Sequence, residues 1–102
     1  MFIVSLTYKK PLEAVDKHLA AHRDFLKTQY DAGVFIVSGG KIPRTGGIII
    51  ASVASKDLLE AILQQDPFHL HGISDYDIIN FSPAMCNDAF RKIKQHDDEL
   101  NR

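Results

Sequence analysis

The sequence predicts an α+β fold: a ferredoxin-like βαββαβ plait followed by a C-terminal helix. Three observations carry that reading. Stretches with a period of two alternate with stretches whose apolar residues recur every three or four positions. Two strand–helix–strand connections are present, and such crossovers are right-handed, which lays both helices on one face of the sheet. The chain has 102 residues, enough for one domain. We expect a single domain over residues 1–102, with the plait in 2–83 and the last helix at about 87–100.

Phe2, Val4, Leu6 and Tyr8 alternate with Ile3, Ser5 and Thr7, the signature of a first strand. Lys9-Lys10-Pro11 ends it, and proline suits the first turn of a helix. Leu12, Val15, Leu19, Leu26 and Tyr30 then mark a long amphipathic helix running to about Ala32, with Gly33 as its stop. Val34 to Val37 is a short apolar strand ended by Ser38-Gly39-Gly40. Lys41 to Thr45 reads as a hairpin loop around Pro43, and Gly46-Gly47 leads into a strand over Ile48 to Val53. Ser55 is a suitable N-cap for a helix carrying Leu58, Leu59, Ile62 and Leu63, which Asp66-Pro67 terminates. After a loop with Gly72, Asp75 to Phe81 forms the fourth strand, closed by Pro83. Asn87 caps a final helix with Phe90, Ile93 and Leu100 inward and its Lys, Gln and Asp residues outward.

Composition narrows the function classes. Twelve Lys and Arg balance thirteen Asp and Glu, for a net charge of −1. That balance argues against nucleic acid or an anionic membrane as the main partner. The single cysteine, Cys86, allows no internal disulfide and no cysteine-rich zinc site. No apolar run reaches the roughly 20 residues of a membrane-spanning helix, and no signal peptide is evident. The expectation is a soluble cytoplasmic protein. Val34 to Val37 and Ile48 to Ala51 are apolar on both faces, so the second face of the sheet needs cover. A second copy of the chain, a homodimer stacked sheet on sheet, is the expected cover.

Two polar residues interrupt apolar stripes. His22 lies between Leu19 and Leu26 on the inward face of the first helix, and Asp66 follows Ile62 and Leu63 on that of the second. An Asp at a helix C-terminus opposes the macrodipole, so local helix physics does not account for it. Taken singly, His22 reads as a satisfied core histidine and Asp66 as a turn former. Jointly they read otherwise, because a buried carboxylate requires a partner and an imidazolium supplies one.

His22 with Leu26, Gly33 eleven residues after that histidine, Ser38-Gly39, then Asp66-Pro67-Phe68 and Gly72 resemble the YciI-like family from Phe2 to about Pro83. The resemblance implies a ferredoxin-like fold forming a dimeric α/β barrel, with a His–Asp pair in a cleft as the active site. By position that pair is His22 and Asp66, with Ser38 and Gly39 beside the cleft. Gly39-Gly40 stands where the family often has Gly-Pro, which implies a looser or differently shaped cleft floor.

An unperturbed imidazole has a pKa near 6.5, and a carboxylate on one ring nitrogen leaves the other free to act as a base. No G-x-S-x-G marks a nucleophile. Proton transfer therefore fits the inventory: a cofactor-independent lyase or isomerase acting on a small aromatic or enolic molecule, with Arg44 and Lys41 in the hairpin able to attract an anionic one. The alternative is a noncatalytic ligand-binding or interaction module on the same dimeric frame. His18 and His22 share a helix face, and His69 and His71 flank Asp66, so a metal-binding set of two histidines and a carboxylate is also conceivable. Leu19 stands where a zinc helix of the H-E-x-x-H type carries Glu, and no metal or cofactor is expected. Aromatics for base stacking are absent from the third strand, no CxxC follows the first strand, and the glycine pairs are not followed by GKS or GKT.

Overall fold

A computed structural model describes residues 1–101. The elements are β1 (Phe2–Tyr8), α1 (Leu12–Asp31), β2 (Phe35–Gly40), β3 (Gly46–Ala51), α2 (Lys56–Leu63), α3 (Pro67–Leu70), β4 (Ser74–Asn80), a 3-10 turn (Asp88–Phe90) and α4 (Arg91–Leu100). All four strands form one antiparallel sheet in the order β2-β3-β1-β4. The βαββαβ plait is therefore present, with the second crossover divided between α2 and the short α3.

The sheet does not close, which corrects the expectation of a dimeric α/β barrel. The order leaves β2 and β4 as edges with no strand beyond either. Four twisted strands are too few to curl round on themselves, since small barrels need about eight. The strand β4 also turns Asp75 and Asp77 to the side away from the helices, opposite Thr7 and Ser5 of β1. On that outer face Val37 and Ile79 are exposed, and Ile3, Ile48 and Ile50 are half-buried.

The inner face builds the core. Phe2, Val4 and Leu6 of β1 pack with Phe35, Ile49 and Ala51 of the neighbouring strands. The helices bring Val15, Leu59, Leu63 and Phe68 against them. Burying each such side chain contributes roughly 1.5–3 kcal/mol. At the start of β3, a side chain on Gly46 would place its Cβ 1.8 Å from the Leu6 carbonyl oxygen, so only glycine fits there. The stop of α1 at Gly33 follows the same residue logic, with φ at +73°, where glycine is favoured.

Several boundaries differ from the sequence reading. Ser38-Gly39-Gly40 does not end β2 but continues it, because Ser38, Gly39 and Gly40 pair with Ile49, Ile48 and Gly47. A ladder with a central strand outweighs the low strand propensity of glycine. The strand β3 begins earlier, at Gly46, and stops at Ala51. Ser55 caps α2 as expected, accepting from the Leu58 N–H. That helix ends at Leu63, however, so Asp66 is not its C-terminal residue. It is the N-cap of α3, where the helix dipole favours a carboxylate. Asn87 caps the 3-10 turn rather than α4 itself, and the fully buried residue of α4 is Asp97, expected to face outward. Among the described residues no helix is long and apolar enough to cross a membrane.

Candidate active site

The connection between α2 and β4 is what makes the site. Leu63 closes α2 in the core, Gln64 and Gln65 turn the chain, and Pro67 fixes the first turn of α3. Asp66 sits between them with its side chain wholly buried. Proline at the first helical position is favourable because its missing N–H would have no partner there. The short α3 packs against the middle of α1, and this brings Asp66 to His22.

His22 Nδ1 donates to Asp66 Oδ1 at 2.7 Å. The same oxygen accepts the Phe68 backbone N–H at 3.0 Å. Asp66 Oδ2 accepts the Tyr76 hydroxyl at 2.7 Å. Three donors thus converge on one buried carboxylate, which offsets the cost of removing it from water. Burial, reinforced by the charge of Asp66 and the hydrogen bond to it, raises Tyr76 above the usual phenol range, so it remains a donor. The imidazole of His22 lies flat on Phe68, with centroids 3.9 Å apart and planes 5° from parallel. Position, tautomer and tilt of the ring are all set by neighbours. Nε2 makes no hydrogen bond among the described residues and is the nitrogen left for a visitor.

His22 opens onto a cavity of about 690 Å³. Leu19, Leu26 and Phe68 give it apolar walls, and Leu6 and Ile49 of the sheet form its floor. Ser38, Gly39 and Arg44 line it too, so the structure brings those three sequence candidates to the same cavity as His22. Ser38 is hydrogen-bonded to the hydroxyl of Tyr30, and Arg44 is paired with Asp16 on α1. A side chain on Gly39 would stand on the outer face with Val37 and Ile48, so Gly39 borders the cavity through its backbone.

The other histidines go elsewhere. His18 stacks on His71 with centroids 4.0 Å apart, and His69 meets Tyr76 edge to face. Among the described residues no three His, Cys, Asp or Glu side chains converge as a metal-ligand set. Lys41 reaches Thr7 on β1 rather than the cavity, and Cys86 is exposed. Sequence reasoning missed Tyr76. Its only signal was its place in an alternating strand, which reads equally well as packing.

The family model for the YCII-related domain matches residues 1–82. The chain belongs to that family. None of the curated proteins matches this YCII-related chain in sequence. Among solved structures it is similar in fold to 5-chloro-2-hydroxyhydroquinone dehydrochlorinase from Burkholderia phenoliruptrix AC1100, solved in complex with 2,5-dihydroxybenzoquinone. The TM-score is 0.67 at 19% identity, over 79% of this chain and 93% of that one. At that identity the likeness establishes a shared fold.

Proposed function

We propose that this YCII-related protein is a cofactor-independent enzyme of lyase or isomerase type, moving a proton on a small aromatic or enolic molecule. The observation that carries this reading is the 2.7 Å bond from His22 Nδ1 to a wholly buried, triply hydrogen-bonded Asp66 at the wall of a cavity. Asp66 has both oxygens occupied by donors and acts as the orienting group. His22 Nε2 is the base that takes a proton from the ligand and the acid that returns it. Ser38, Gly39 and Arg44 contact the ligand. The apolar floor and the Phe68 ring suit a flat molecule, and the structural relative's complex with a dihydroxyquinone supports that class. We also propose a homodimer, in which a second copy covers the apolar outer-face residues Ile3, Ile50 and Ile79; sedimentation as a monomer at micromolar concentration would refute it.

Deuterium uptake from D2O into enolisable hydroxyquinones, followed by NMR, tests the chemistry. Wild-type protein should catalyse the exchange. His22→Asn and Asp66→Asn should each lose at least about a thousandfold, and the double variant little more, because residues acting as one unit are non-additive. A wild-type protein that binds these compounds without exchange would establish the binding-module alternative instead.

A further inference from the structure

The chain carries a net charge of −1, yet Arg23, Lys27 and Arg44 gather round the one cavity that holds His22. Asp16 is the carboxylate on the cavity wall, and it is already bound to Arg44. Neither Arg23 nor Lys27 is in an ion pair among the described residues. They stand at i and i+4 on α1, where like charges repel one another and weaken a helix. Asp24 and Asp31 are the helix neighbours of Lys27, but neither forms an ion pair with it, and Arg23 has no carboxylate three or four positions away. An anion lying between them would offset the repulsion.

Their placement also fits the apolar wall. Leu19, His22 and Leu26 form the inner column of α1, and Arg23, Lys27 and Tyr30 form the column at the rim. From His22 to Lys27 the helix rises about 7.5 Å, comparable to one substituted six-membered ring. A flat molecule could therefore rest on the apolar floor with one end at His22 and the other between the two cations.

We propose that the ligand is a small planar anion whose charged oxygen is held between the Arg23 guanidinium and the Lys27 ammonium. This deepens the proton-transfer reading, on which it rests for the orientation of the ligand toward His22. Arginine offers a planar fork and lysine a point charge, a pair suited to the delocalised oxygens of a carboxylate or an ionised hydroxyquinone. Arg23 and Lys27 bind; they take no part in moving the proton.

Isothermal titration of the full chain tests this with two anions, benzoate and 2,5-dihydroxybenzoquinone, against two neutral counterparts, benzamide and 2,5-dimethoxybenzoquinone. The anions should bind at least about tenfold more tightly than the neutral compounds, and the difference should shrink as salt is raised. Arg23→Gln and Lys27→Gln should each weaken anion binding about tenfold, the scale of one charge-assisted hydrogen bond. Together they should abolish the preference, and Arg23→Lys should recover most of what Arg23→Gln loses. Lys56→Gln, on α2 and outside the cavity, should change nothing. Equal affinity for anions and neutral compounds would overturn the inference, as would anion binding indifferent to Arg23 and Lys27. Anion binding that depends on both residues, without any deuterium exchange, would leave it standing and refute proton transfer alone.

Discussion

Asp66 and Asp97 are both buried aspartates, and the chain has surrounded each with donors. Asp97, on α4, faces the amino group of Met1 at 3.2 Å and accepts the Ser52 hydroxyl at 2.7 Å. The same amino group donates to the Phe81 carbonyl at 2.9 Å, so the network ties α4 to both ends of the plait. None of its residues lines the cavity that holds His22. Asp66 differs in one respect. One of its donors, His22, has a second nitrogen and a place on a cavity wall. A buried carboxylate is thus not in itself a sign of catalysis. What distinguishes the two is whether a partner can pass on what the carboxylate does to it.

That contrast can be broken by substitution. Asp97→Ala should have the largest effect on stability, about 3 kcal/mol in urea unfolding, because it leaves the Met1 amino group buried and uncompensated. Anion binding in the cavity should be unchanged. Equal losses of stability and binding would mean that the two aspartates do not serve separate purposes.

Tyr76→Phe sharpens the comparison from the other side. It removes one donor from Asp66, so the carboxylate is held less firmly, and exchange should fall about tenfold. Because folding raises Tyr76 above its ordinary range, the folded chain keeps a proton that the unfolded chain gives up above about pH 10. This contribution to stability is complete below that pH and declines as pH rises further. Urea titrations between pH 8 and 11 should therefore show a shallower alkaline loss in Tyr76→Phe than in wild type.

Ser52→Ala is the smallest of the three. Asp97 keeps the amino group and loses one neutral donor, so about 1 kcal/mol of stability should go and the exchange rate should hold.

The two aspartates were not equally legible in the sequence. Asp66 showed because it followed Ile62 and Leu63 on an apolar stripe, and beside His22 on the neighbouring helix the turn-former reading no longer sufficed. Its pairing with His22 followed from the plait, which sets two helices on one sheet face. Its local setting did not follow: the helical spacing of α2, carried three positions beyond Leu63, set Asp66 on the same stripe and hid the break that makes it an N-cap. Asp97 stood among Lys94, Gln95, His96 and Asp98, where one more charge looks like solvated surface. Its contacts with Met1 and Ser52, 96 and 45 positions away, account for its burial. Tyr76 was hidden in a different way, since an alternating strand gives no sign of which hydroxyl meets a carboxylate. The extension of β2 through Gly39 and Gly40 was invisible because pairing partners, not propensity, decide an edge strand. Apolar residues on both faces of β2 and β3 required cover of the outer face; the closed barrel was implied by the family resemblance alone, and nothing in a linear pattern reports whether an edge strand finds a neighbour.

The glycine at position 46 has a consequence for the cavity. With no side chain in the way, the start of β3 lies against the Leu6 carbonyl, and the hairpin is fastened there by bonds from Tyr8 N–H to the Thr45 carbonyl and from Lys41 N–H to the Gly46 carbonyl, each 2.9 Å. Arg44 is the residue just before that fastening. Its backbone is anchored within one residue of a three-strand junction, so its guanidinium swings from a fixed pivot. A molecule entering the cavity meets, on this side, a charge whose anchorage is already ordered. Recruiting Arg44 from Asp16 then costs the exchange of one ion pair and not the immobilisation of a loop.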